Sequence, residues 1–166
     1  MVADVEIRRA DASDAPAMAD AHRDSIRVLG AGFYPEEAVD DWAAGVAPDM
    51  YVRAMEGGEV FFIATGAVEG ESLVLGFASD YLIRGTTHGT SVYVRGIAAR
   101  RGVGSALLDK AEELARVRGA TDIEIEASLA GVSFYRARGY EDVRRVATQL
   151  SSGKFIDCVF MRKKLS

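Results

Sequence analysis

Cysteine is nearly absent from this 166-residue chain, and its one thiol, Cys158, has no partner for an intrachain disulfide. The strand-like setting Ile156-Asp157-Cys158-Val159-Phe160 makes Cys158 a packed residue before a nucleophile. The two histidines, His22 and His88, are far apart and show no ligand spacing, so no metal site is expected. No apolar run is long enough to cross a bilayer. The first residues, Met1-Val2-Ala3-Asp4-Val5-Glu6, lack the basic flank and apolar stretch of a signal peptide. A cytoplasmic protein without a membrane partner is expected. Positive charge is scarce as well: the net charge of −5 argues against a nucleic-acid binder, which would carry a basic face. Repeats and low-complexity segments are also missing, and the length and apolar content suit one domain over residues 1–166.

What the chain does contain is a clear succession of periodicities. Val5 to Ala10 alternates as a strand, and Asp11-Ala12-Ser13-Asp14 supplies N-cap residues for a helix from Ala15 to about Leu29, stopped by Gly30-Ala31-Gly32. A second helix is expected from Pro35 to Ala44, with Val39, Trp42 and Ala43 on its apolar side. Glu59–Ala64 and Leu73–Tyr81 read as a hairpin about the acidic turn Val68-Glu69-Gly70-Glu71-Ser72. Phe61-Phe62 suggests a strand covered on both faces. A third strand from Thr90 to Val94 then leads through Arg100-Arg101-Gly102-Val103-Gly104-Ser105 into an amphipathic helix ending at Arg118-Gly119. Asp122 to Ala127 is the next strand, Ser128 a helix-start signal, and Glu141–Leu150 with Phe155–Leu165 a terminal hairpin about Ser151-Ser152-Gly153. The expected fold is a mixed α/β sheet in the order β-α-α-β-β-β-α-β-α-β-β, with helices on both faces.

The strand-to-helix loop has a chemical use. The first N–H groups of a helix lack intrahelical partners and carry the positive end of its dipole, so they attract anions. Gly102 and Gly104 keep Cβ atoms away from that end, and Arg100 and Arg101 add charge suited to phosphate. A bare G-x-G is also simply a tight turn. A P-loop would need Lys before Ser105, and a dinucleotide fingerprint would need a third glycine and a ribose-binding acid. Neither pattern is complete.

About thirty residues on stands Phe134-Tyr135-Arg136-Ala137-Arg138-Gly139-Tyr140. With this segment the chain resembles the GNAT superfamily of acyl-CoA-dependent N-acetyltransferases over nearly its whole length, most specifically from Val92 to Tyr140. The family's loop pattern, Gln/Arg-x-x-Gly-x-Gly/Ala, is met at Gly102 and Gly104, while Ala99 stands where Gln or Arg is usual. Ala130 likewise stands near a position where many members carry Asn.

The resemblance implies acetyl transfer from acetyl-CoA to a primary amine of a small molecule or peptide, by direct attack, with no metal. It implies a central splayed strand pair, and a cofactor held by Val94, Arg95, Gly96, Ile97, Arg100, Arg101, Gly102, Val103, Gly104, Ser105, Ser128 and Ser133. The N–H groups of the stretch from Val94 to Ile97 would polarise the thioester carbonyl. Tyr135 becomes the general acid, since a phenol of pKa ~10 stays protonated at neutral pH. Glu124 is the first candidate for the base. Strand alternation puts Glu124 and Glu126 on one face, where they also fit two solvated acids. His22, Arg23, Ser25, Tyr34 and Trp42 become candidates for touching the acceptor, although the aromatics suit a core equally well. The charges leave the acceptor open, because the second helix is acidic while Arg23 and Arg27 are basic. A homodimer through the terminal strands is compatible with the family. The functional alternative is a non-catalytic module that binds CoA or acyl-CoA.

Overall fold

A computed structural model describes residues 1–166. Its strands are β1 (Val2–Arg9), β2 (Val60–Val68), β3 (Glu71–Arg84), β4 (Thr87–Val94), β5 (Asp122–Ser128), β6 (Glu141–Gln149) and β7 (Phe155–Lys164). The helices are α1 (Ala15–Gly30), α2 (Glu36–Ala44), α3 (Pro48–Glu56), α4 (Val103–Val117) and α5 (Val132–Ala137). Local signals account for most boundaries. Asp11 and Asp14 form a reciprocal capping box ahead of α1, and Arg8 binds Asp14 at 2.7 Å. Glu69 and Gly70 both take left-handed φ values, 51° and 82°, as a two-residue β2–β3 hairpin turn needs.

The sequence reading assigns no element to the segment that forms α3. Pro48 sits in its first turn, but Tyr51 is its one buried residue, so the helix carries too narrow an apolar stripe to register as a period.

All seven strands join one sheet in the order β1-β2-β3-β4-β5-β7-β6. On one face α1, α2 and α3 cover a core that includes Met18, Tyr51, Phe61, Ile63 and Phe77. On the other, α4 packs over Ala64, Leu75 and Ala78, and with α5 over Ile123, Tyr135 and Met161. β2 is thus covered on both sides, as its continuous apolar run implies.

Only β4 and β5 run parallel, and they pair over just three positions: Thr87 with Asp122, His88 with Ile123 and Gly89 with Glu124. Beyond Gly89 the strands part, β4 following β3 to Val94 and β5 following β7 to Ser128. The joined end is packed from both sides. Buried Asp80 accepts hydrogen bonds from Arg118 Nη1 at 3.0 Å and contacts His88 Nδ1 at 2.6 Å. On the opposite face Tyr81 lies over Gly89, where a Cβ would fall 2.2 Å from the ring.

Gly76 serves the open end. A Cβ there would meet the Tyr93 carbonyl oxygen at 2.5 Å and Val94 Cα at 2.9 Å, both rigid backbone. Gly76→Ala should therefore destabilise the fold by about 1–3 kcal/mol, seen as a lower urea midpoint at unchanged slope. An unshifted midpoint would show that β4 can move aside.

Candidate functional site

The parting of β4 and β5 leaves backbone groups without partners, and register shows which. Arg95 N–H donates to the Leu75 carbonyl at 2.7 Å, so Val94, opposite Gly76, occupies a non-hydrogen-bonded position of the β3–β4 ladder. Its N–H, like that of Val92, points away from β3 into the gap. Gly96 N–H donates to Asp24 Oδ2 at 2.8 Å, and Ile97 is exposed and lines neither cleft. Of the four residues from Val94 to Ile97, Val94 is therefore the one whose N–H this register turns into the gap. Arg95 and Gly96 spend their N–H groups on fixing the loop.

At the outer end of the gap stands α4. Arg100 and Gly102 take left-handed φ values of 60° and 81°, and no side chain caps the helix. Alternating hands of this kind curl successive N–H groups into an anion-binding concavity. The first intrahelical bond runs from Ala106 N–H to Gly102 O at 3.0 Å, leaving the N–H groups of Val103, Gly104 and Ser105 without intrahelical partners. Gly104 lies under Phe134, whose Cε1 is 3.3 Å from where a Cβ would be. Arg100, Ser105, Ser128 and Ser133 line the cleft. Arg101 instead donates from Nε to Ile97 O at 3.1 Å, and the Val103 side chain is buried in the core beneath.

Tyr135 is buried against Phe134 and Tyr140, with edge-on ring contacts at 5.1 and 5.4 Å, and it lines the gap. Burial pushes its phenol far above the ordinary range, and only the facing Val92 backbone opposes the shift appreciably. The hydroxyl is a proton holder at any physiological pH. Glu124 does not stand where the base was expected. It is buried, paired with Arg162 at 2.9 and 3.0 Å, and lines neither cleft. Glu126 is the exposed carboxylate, accepting from Thr148 Oγ1 at 2.8 Å.

Two clefts meet at this point. The larger, about 670 Å³, runs from the start of α4 through the gap to Ser25 and the α1–α2 connection. The smaller, about 250 Å³, lies between the helical wall and the β6–β7 hairpin. Trp42, Tyr93, Glu126 and Ser128 border both. His22 lines the smaller one, its ring 3.9 Å from that of Tyr93. Tyr34 touches neither. Its hydroxyl donates to Asp157 O at 2.5 Å and accepts from Leu129 N–H at 2.9 Å, clasping the α1–α2 connection to the far strands. Tyr93, Thr148 and Gln149 escaped the sequence reading because they join the site only when β4 and β6 are brought beside the helices. Glu126 alone had a signal, its alternation with Glu124.

Residues 31–165 match a family model described as an acetyltransferase (GNAT) domain. The chain belongs to the GNAT acetyltransferase family. Solved GNAT structures share its fold end to end. A GCN5-related N-acetyltransferase from Rhodopseudomonas palustris is 28% identical, with 99% of this chain and 98% of that one covered at a TM-score of 0.80. The PaiA N-acetyltransferase of Thermoplasma acidophilum, solved with coenzyme A, is 20% identical, covering 98% and 99% at 0.74. A phosphinothricin acetyltransferase from Sinorhizobium meliloti, solved with acetyl-CoA, is 21% identical, covering 98% and 89% at 0.68. No curated protein matches the sequence. No helix of this GNAT chain is long and apolar enough to cross a membrane.

His22 gives the site a titration signature. Its Nδ1 contacts Tyr51 Oη at 2.7 Å, its Nε2 has no partner, and burial, aided by Arg23, pushes its pKa down to about 3. Between that value and an unfolded pKa of about 6.5, the unfolded chain binds one proton more than the folded chain. Stability should therefore fall as pH drops through this window, and His22→Gln should flatten the slope of urea midpoint against pH. An equal slope in the variant would place the acid sensitivity elsewhere.

Proposed function

We propose that the protein transfers an acetyl group from acetyl-CoA to a primary amine by direct attack, without an acyl-enzyme. The observation that carries this reading is the convergence on one gap of the Val94 N–H, the Tyr135 hydroxyl and the uncapped start of α4. Acetyl-CoA, when bound, supplies the acetyl group as a reactive thioester. The residues present suit it. N–H groups at Val103, Gly104 and Ser105 form a cradle for a diphosphate, with Arg100 at its rim. Ala99 adds no side-chain donor, so recognition there falls to backbone. Similar folds solved with coenzyme A and with acetyl-CoA support acetyl-CoA as the ligand.

At the inner end Val94 N–H is the donor that would polarise a carbonyl oxygen. An acceptor that arrives as an ammonium first loses one proton to water; Glu126, in place of Glu124, takes the next, directly or through water, as the neutral nitrogen bonds to the acyl carbon. Tyr135 gives its proton to the sulfur as the carbon–sulfur bond breaks. Cys158, the only thiol, lines the smaller cleft, but burial raises its pKa and leaves it a poor nucleophile. That favours direct attack.

Calorimetry and steady-state turnover test this reading together. Gly104→Glu should abolish acetyl-CoA binding by filling the cradle. Tyr135→Phe should leave binding intact and lower kcat about 10²-fold or more. Tight binding with no turnover on any amine would instead support a CoA-binding module.

A further inference from the structure

The smaller cleft restricts what can be acetylated. Its one charged lining residue is Glu126, and no Lys or Arg borders it. The basic groups nearby are committed elsewhere. Arg23 donates to the Val46 carbonyl at 2.7 Å and to Asp20 at 3.3 Å, and Arg145 lies 3.8 Å from Asp157. Arg27 is exposed and lines neither cleft. Outside the lining, Asp41, next in sequence to Trp42, accepts from Ser152 Oγ at 2.5 Å and carries a further negative charge. Half of the lining is apolar or aromatic, including Trp42, Met50, Tyr93, Leu150 and Ile156, and Ser128, Thr148, Gln149 and Ser151 add only neutral polar groups. His22 is held neutral by its burial and leaves this balance unchanged.

An acceptor bearing a carboxylate or phosphinate next to its amine would place that anion beside Glu126 with no counterion, an arrangement that desolvation and like-charge repulsion oppose. An ammonium on an apolar body meets the reverse situation: attraction to Glu126 and contact with aromatic faces. The cleft measures about 250 Å³ and is open to solvent.

Resting on the acetyltransferase reading above, we infer that the acceptor is a small monocationic primary amine with an aryl or alkyl body and no acidic group, its ammonium directed to Glu126. This sets the chain apart in selectivity from an enzyme for an acidic amino acid.

Trp42 is the only tryptophan and borders both clefts, so its fluorescence reports acceptor binding whether or not chemistry follows. The experiment titrates 2-phenylethylamine and phenylalanine, which differ by one carboxylate, into the protein with CoA present. Acetylation of both is then assayed with acetyl-CoA. The amine should bind about 10- to 100-fold more tightly than the amino acid, the scale of one unpaired buried anion. Glu126→Gln should remove most of that gap, with a cooperative urea transition as evidence of an intact fold. Equal or tighter binding of phenylalanine, or a gap unchanged in Glu126→Gln, overturns the inference. Selective binding with no acetylation of 2-phenylethylamine or of any other amine tried upholds the selectivity and sinks the acetyltransferase reading. Efficient acetylation of phenylalanine sinks the selectivity and leaves the enzyme reading standing.

Discussion

The parting of two parallel strands is the constraint from which the rest of this site follows. β4 and β5 share three paired positions and then diverge, because each is bound more extensively to its other neighbour. An unpaired backbone group inside a protein is unfavourable unless something satisfies it. The gap therefore has to be polar, accessible and sized for a ligand that can replace a strand. The Asp80–His88–Arg118 cluster and the Tyr81 ring seated on Gly89 keep the joined end closed, so the opening is confined to one end of the sheet.

Around that opening, side chains that look chemically available are mostly committed to holding the frame. Tyr34 clasps the α1–α2 connection to β7 and to the residues after β5. Glu124 is bound by Arg162, and Asp24 is spent on the Gly96 N–H. The groups left over are few: the Val94 N–H, the Tyr135 hydroxyl, the Glu126 carboxylate and the first N–H groups of α4. Polar groups preorganised by a rigid frame act on a bound ligand without the reorganisation that water would need, which is why so small a set can suffice.

Much of this was legible in the linear order of residues. Strand and helix periods place all seven strands and four of the five helices, since amphipathic periodicity is a local record of which side faces the core. Gly102, Gly104 and the Phe134-Tyr135 pair mark the walls of the larger cleft for the same reason: a left-handed cap, a close approach and a buried phenol each demand particular residue types nearby in sequence. Helix α3 escaped because one buried tyrosine makes no period. Glu124 and Glu126 were indistinguishable because alternation assigns both to one face and says nothing of Arg162, thirty-eight residues away from Glu124.

The sequence by itself determined the order of every element but α3, the glycine-bearing strand-to-helix loop and the family to which the chain belongs, because those rest on contacts between residues close along the chain. Tertiary structure alone decided that Val94 keeps an N–H for the gap and that Tyr34 is a clasp. It also decided that the smaller cleft borders Glu126 and has no Lys or Arg in its lining. Each of these depends on which partner reaches a group first across the sheet, and strand register and long-range packing settle that competition.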